Sequence, residues 1–187
     1  MDLWNLPTAL TVGGIEYPIG WEYREVLQVM AILNEESKPS WQRWFSAVDR
    51  FYKAPIPTPQ LTEACEKMGD FISMGVPGAP GPKLFDWEQD APEIISDINR
   101  VAGFEVRRQT VHWWTFLGWF RAIGEGQLSF LVGIRSKLAR GQKLTEGEQE
   151  YMRTHRVRLR SPADPEKARL EALLNGKLTM DNGQLRK

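Results

Sequence analysis

Few residues in this chain could do chemistry, and their spacing argues against most of it. Asp86, Glu88 and Asp90 form an acidic alternation that invites a calcium-loop reading. Such a loop needs glycine at its sixth position and a bidentate Glu at its twelfth; here those positions are Ala91 and Asp97. A helix would also spread the three carboxylates around its axis. Carboxylates at a helix start are favoured by free amides and by the helix dipole, so Asp86 reads as a helix cap and no metal site is expected. The two histidines, His112 and His155, have no Cys, His or carboxylate at a metal-ligand spacing. A catalytic base needs a nucleophile and an orienting group beside it, and no Ser, Thr or Cys stands in such a setting. Cys65 lies on an apolar stripe and reads as a small buried residue. The stretch Gly75-Val76-Pro77-Gly78-Ala79-Pro80-Gly81-Pro82 is glycine-rich but lacks the Gly-Lys-Ser/Thr end of a phosphate loop, and its prolines offer no amides. Neither an enzyme nor a cofactor is expected.

Two other groups of residues could bind rather than react. Arg153, Arg156, Arg158 and Arg160 make a basic run able to touch phosphates non-specifically. No recognition helix, zinc pattern or aromatic ribonucleoprotein motif surrounds it, so nucleic acid is not the expected partner. The second group is aromatic. His112-Trp113-Trp114-Thr115-Phe116-Leu117-Gly118-Trp119-Phe120 packs three tryptophans and two phenylalanines into one helical segment. Trp113, Phe116, Leu117 and Phe120 share a face, while Trp114 and Trp119 lie off it. A helix apolar nearly all round is central to a core or lies against a second surface. Trp114 and Trp119, with Trp41, Trp44 and Phe45 of an earlier stripe, are the expected partner-binding residues.

These residues carry a family resemblance. Asp86, Glu88, Gln89, Asp90, Ile94 and Ile95, then His112, Trp113, Trp114 and Phe116, then Ile134 and Arg135 follow a pattern D-x-E-Q-D-x-x-x-I-I, H-W-W-x-F, I-R. The pattern resembles the "gp fifteen" family of tailed bacteriophages and prophages, as does the opening around Gly14-Ile15-Glu16-Tyr17-Pro18-Ile19. Trp87 stands where the family often has Phe or Tyr. The resemblance runs from the first residues to about Arg160, with the middle weakest, and implies a tail-assembly chaperone. Such a protein coats the long tape measure protein until tail-tube subunits displace it. The implied partners are the tape measure protein and tail-tube subunits, with a second copy of the chain as a further candidate. Two other functions stay open: a structural protein of the tail or head–tail junction, and a nucleic-acid-binding regulator working through the basic run.

The elements that must position these residues read as mainly α, a compact multi-helix domain with a short N-terminal β-hairpin. Gly13-Gly14 supplies the positive φ of a tight turn, with Leu10 and Val12 on one strand and Ile15, Tyr17 and Ile19 on the other. Pro18 demotes the return strand to an edge. Apolar stripes predict helices over 21–33, 40–53 with Ser40 as cap, 59–74 stopped by Gly75, 86–102 stopped by Gly103, 108–123, and 128–138. A last one starts at a Thr145/Glu148 capping box and carries Tyr151, Met152 and His155. Residues 1–160 are expected to form one helical domain with a Pro/Gly loop at 75–83. Residues 161–187 are expected to form a charged C-terminal helix, around Leu170, Leu173 and Leu174, and a frayed tail.

Composition fits this class. The chain has 187 residues, 42% hydrophobic, with one cysteine and a formal net charge of zero. That charge is unevenly spread: residues 1–105 hold 8 Lys/Arg against 16 Asp/Glu, net −8, and residues 106–187 hold 16 against 8, net +8. The two halves could attract one another or a neighbouring copy, though exposed pairs contribute only ~0–1 kcal/mol each. The lone cysteine fits a reducing compartment. Neither a secretion signal nor a membrane span is apparent. The expected location is therefore cytoplasm, which under the resemblance is the infected host's.

Overall fold

The computed structural model describes residues 4–76 and 84–154, together with the backbone of 179–181 and 184–186. In chain order these are β1 (Ala9–Val12), β2 (Ile15–Pro18), α1 (Tyr23–Leu33), α2 (Ser40–Phe51), a 3-10 turn (Thr58–Gln60), α3 (Leu61–Ser73), α4 (Ala91–Ala102), a second 3-10 turn (Val106–Arg108), α5 (Trp113–Arg121), α6 (Gln127–Ala139), α7 (Glu146–Thr154), β3 (Thr179–Asp181) and β4 (Gln184–Arg186). The protein is mainly α with an N-terminal hairpin. Among the described residues, no helix is long and apolar enough to cross a membrane.

The chain divides into two compact units, Met1–Gly133 and Ile134–Lys187. In the first, β1 and β2 pair antiparallel with Leu10 opposite Tyr17 and Val12 opposite Ile15. Gly13 and Gly14 take φ of 56° and 78°, the paired positive values of a two-residue hairpin turn. Val12, Tyr17 and Ile19 are buried, and Ile19 bridges to Tyr52, so the hairpin packs on the helices rather than standing alone. Its core continues through Val26 and Val29 of α1, Ala47, Val48 and Phe51 of α2, Ala64, Met68 and Phe71 of α3, Ile94 and Ile98 of α4, and Trp113 and Phe116 of α5. Segments on both sides of the Pro/Gly stretch thus share one core; residues 77–83 of that stretch lie outside the described set.

Helix ends differ from expectation where local chemistry is redirected. Ser40 is not the cap of α2. It is already helical; Pro39 holds the cap position with no side-chain bond, and its carbonyl accepts from Gln42 and Arg43. Asp86 does not cap α4, which starts at Ala91. Its Oδ1 accepts from the amides of Glu88 and Gln89, both at 3.0 Å, while Asp90 Oδ2 accepts from the Asp86 amide at 2.8 Å. The two carboxylates knot a turn that precedes the helix. The end of α3 is closed by Met74 at φ 55°, followed by Gly75, whose amide donates to Asp70 O at 2.8 Å. Both Met74 and the expected stop Gly75, at φ 69°, are left-handed, so the turn out of α3 begins one position before the glycine. Gly103, at φ 79°, does end α4.

In the second unit, Thr145 and Glu148 form the expected capping box. The Thr145 amide donates to Glu148 Oε2 at 2.8 Å and the Glu148 amide to Thr145 Oγ1 at 3.3 Å. Lys137 also pairs with the Glu148 carboxylate, and these donors, the Lys137 bond first, hold it below the usual carboxylate range. Residues 179–181 and 184–186 pair as antiparallel strands, where the sequence predicts a frayed tail. The expected helix around Leu170 lies outside the described residues.

Candidate partner-binding surface

The aromatic helix α5 acts as a fastening through Trp113, Trp114 and Arg121. Trp113 is fully buried and its Nε1 donates to Ile72 O at 2.8 Å; Trp114 Nε1 donates to Phe71 O at 2.9 Å; Arg121 Nη2 donates to Ser73 O at 3.3 Å. The last carbonyls of a helix lack intrahelical donors. Two neighbouring indoles and a guanidinium on α5 supply them to the last turn of α3. Trp114, expected on the partner-binding face, is 3% exposed and is withdrawn from it for this reason. Rings pack around the joint: Phe116 stacks on Tyr23 at 4.3 Å between centroids, and Trp87 lies 5.9 Å from Trp113 and 4.6 Å from Phe120. Burial dominates in raising the Tyr23 hydroxyl above its ordinary pKa.

Trp119 is half-buried, with Phe104 set edge-on against it at 5.4 Å. Phe104 itself is 40% exposed. The sequence offers no signal for Phe104, which follows the helix-ending Gly103 and belongs to no stripe.

Among the described residues, the exposed large apolar side chains that fall together on one helix stripe are on α2. Trp41, Trp44, Phe45, Val48, Phe51 and Tyr52 recur at helical spacing and lie on one stripe. Its C-terminal half is sealed: Ala47, Val48, Phe51 and Tyr52 are buried. Its N-terminal half is open, with Trp41 72%, Trp44 40% and Phe45 58% exposed. The helix is held in place from both ends. Arg43 Nη1 donates to Leu33 O at 2.8 Å, tying α2 to the last turn of α1. Near the other end Glu25 of α1 takes Lys53 at 2.6 Å and Arg50 at 3.5 Å, and Arg50 also bonds Gln28. Three large rings are thus presented on an anchored helix. Burying such a side chain fully from full exposure is worth about 1.5–3 kcal/mol, and the share belonging to the area still exposed is left for an incoming apolar surface. A patch of this kind fits a helix laid apolar face down.

The remaining candidates have other duties or lie elsewhere. His112 is buried and caps α5: its Nδ1 accepts from the Trp114 amide at 3.1 Å and its Nε2 contacts Pro7 O at 3.0 Å. With both nitrogens committed to backbone, neither is free to act as a base. Cys65 is half-buried, and its thiol is pushed up by burial first and by Glu66 second. A thiol so placed is a poor nucleophile. Among the described residues no cluster of His, Cys, Asp and Glu could hold a metal. Arg153 is exposed and pairs with Glu150; Arg156, Arg158, Arg160 and His155 lie outside the described residues.

Asp97 is a structural residue that no motif reveals. It is buried on α4, yet its carboxylate accepts from the amides of Gln127 at 3.3 Å and Leu128 at 2.9 Å, capping α6. Arg100, one turn on, donates to Ile123 O at 2.7 Å and Glu125 O at 2.9 Å. The available signal is an acid between Ile94 and Ile98 on an apolar stripe, since a buried charge must be bonded. Comparison with protein-family models, with curated proteins and with solved structures finds no match to this chain.

Proposed function

We propose that this protein is a non-catalytic binding protein that grips an amphipathic helical segment of another polypeptide through Trp41, Trp44 and Phe45. The observation that carries the reading is the stripe on α2 that is sealed at one end and open at the other. Singly scattered exposed apolar residues are ordinary on soluble proteins, whereas three grouped aromatic rings on a fastened helix suit a partner. Aromatic anchors lose little side-chain freedom on binding and dominate interface energies.

The resemblance to the "gp fifteen" phage family makes that partner the tape measure protein and the role a tail-assembly chaperone in the cytoplasm of the infected host. A chaperone must let go when tail-tube subunits arrive, so a shallow surface of a few rings suits the task better than a deep pocket. Co-expression with the tape measure protein is the test. The expected result is a soluble tape measure protein that co-purifies with the chain, and a chain missing from finished virions. An insoluble tape measure protein with no co-purification would refute the role. Stoichiometric presence in purified virions would favour a structural tail component instead.

A further inference from the structure

We propose that His112 is a pH-operated latch that ties the N-terminal segment at Pro7 to the first turn of α5 and lets go when its ring is protonated. The argument begins with the tautomer. The Trp114 amide can only donate, so Nδ1, at 3.1 Å, must be an unprotonated acceptor. Pro7 O can only accept, so Nε2, at 3.0 Å, must carry the hydrogen. Two independent backbone partners therefore select the same neutral imidazole. A second proton at Nδ1 would set two N–H groups face to face, removing the side-chain cap of α5 and turning an attraction into a repulsion.

The surroundings favour the same state. The ring stacks on Trp21 at 5.7 Å with planes 12° apart, and meets Phe71 at 5.7 Å and Trp114 at 5.9 Å edge-on. The packed elements also carry charged groups, but these are occupied elsewhere or face solvent. Glu22, whose backbone bridges to His112, spends both carboxylate oxygens on Arg24. Asp70 of α3 is exposed, and Arg121 of α5 reaches Ser73 O. Among the described residues no carboxylate bonds the imidazole to hold an imidazolium, and burial among the rings pushes its pKa below the ordinary value. The Trp113 amide, donating to Trp21 O at 2.8 Å, and the Tyr23 amide, donating to Val111 O at 3.0 Å, keep the same strand-like crossing in register. The segment tethered through Pro7 runs directly into β1, and the Ile19 amide donates to Thr8 O at 3.0 Å.

Because the chain has two histidines, NMR can follow each imidazole of the full-length protein through a pH titration. Hydrogen exchange of residues 4–10 and of the Trp114 amide is read on the same samples. The expected result is that His112 titrates below the ordinary value of about 6.5, and that protection at both places, taken as exchange relative to the intrinsic amide rate at each pH, falls about tenfold or more with the same midpoint as pH is lowered. His112→Asn keeps a cap acceptor but cannot titrate; it should hold the fold at neutral pH and abolish that pH-dependent step. Three results would each overturn the proposal: a His112 midpoint at or above the ordinary value, exchange that ignores the His112 titration, or an undiminished step in His112→Asn.

Discussion

Two aromatic regions of this molecule have similar composition and opposite fates. On α5, Trp113, Trp114 and Phe116 are sealed; on α2, Trp41, Trp44 and Phe45 stand in solvent. Hydrophobicity does not separate them. What does is whether the ring finds an element opposite it and whether its polar atom finds a partner. The indoles of α5 meet the open carbonyls of α3's last turn, so burial leaves no N–H unsatisfied. The α2 stripe is sealed over its second half and left uncovered over its first. The sealed region holds the fold together, and the open one is the surface proposed to bind.

The strongest way to break this contrast is to cut into the sealed side. Trp113→Ala should cost about 3–5 kcal/mol, read as a fall in the denaturant midpoint, because it opens a void among Trp87, Phe116 and the end of α3. Gly126→Ala should be smaller, about 1–3 kcal/mol. A Cβ there would lie 2.5 Å from both Asp97 carboxylate oxygens, and Asp97 cannot move without uncapping α6. Thermal unfolding of the variant checks this.

Acid should act next. His112 is depressed in the folded state, chiefly by burial, so the unfolded chain binds its proton first. Its contribution to stability is complete above about pH 6.5 and is lost as pH falls through that value towards the lower folded one. Denaturant titrations across this range should show the decline in the native protein and a shallower one in His112→Asn. The smallest effect belongs to the open side. Replacing Trp41, Trp44 and Phe45 by Ala one at a time should change stability by no more than about 0.5 kcal/mol each, as the same denaturant titration would show.

Much of the fold is legible in the sequence because it is local. Gly13-Gly14 dictates its hairpin, Thr145 with Glu148 dictates its capping box, and stripes at helical spacing mark most of the helices. What is not legible depends on partners distant in the chain. Ser40 loses the cap to Pro39, whose extended backbone (φ −55°, ψ 146°) puts the helix start one residue earlier than the serine side chain suggests. Asp86 is diverted into a turn by Asp90. Trp114 reads as an off-stripe residue free to face a partner, yet the carbonyl it serves is Phe71, 43 residues earlier. For the candidate surface, the α2 stripe is visible but its half-open state is not: spacing shows which residues share a face and says nothing of where the cover stops.

The most direct test replaces Trp41, Trp44 and Phe45 together by Ala and measures capture of the tape measure protein on co-expression, beside a thermal melt of the variant alone. The account predicts an almost unchanged melt and a loss of co-purification. Capture at the level of the unmodified chain, by a triple variant that melts normally, would contradict it.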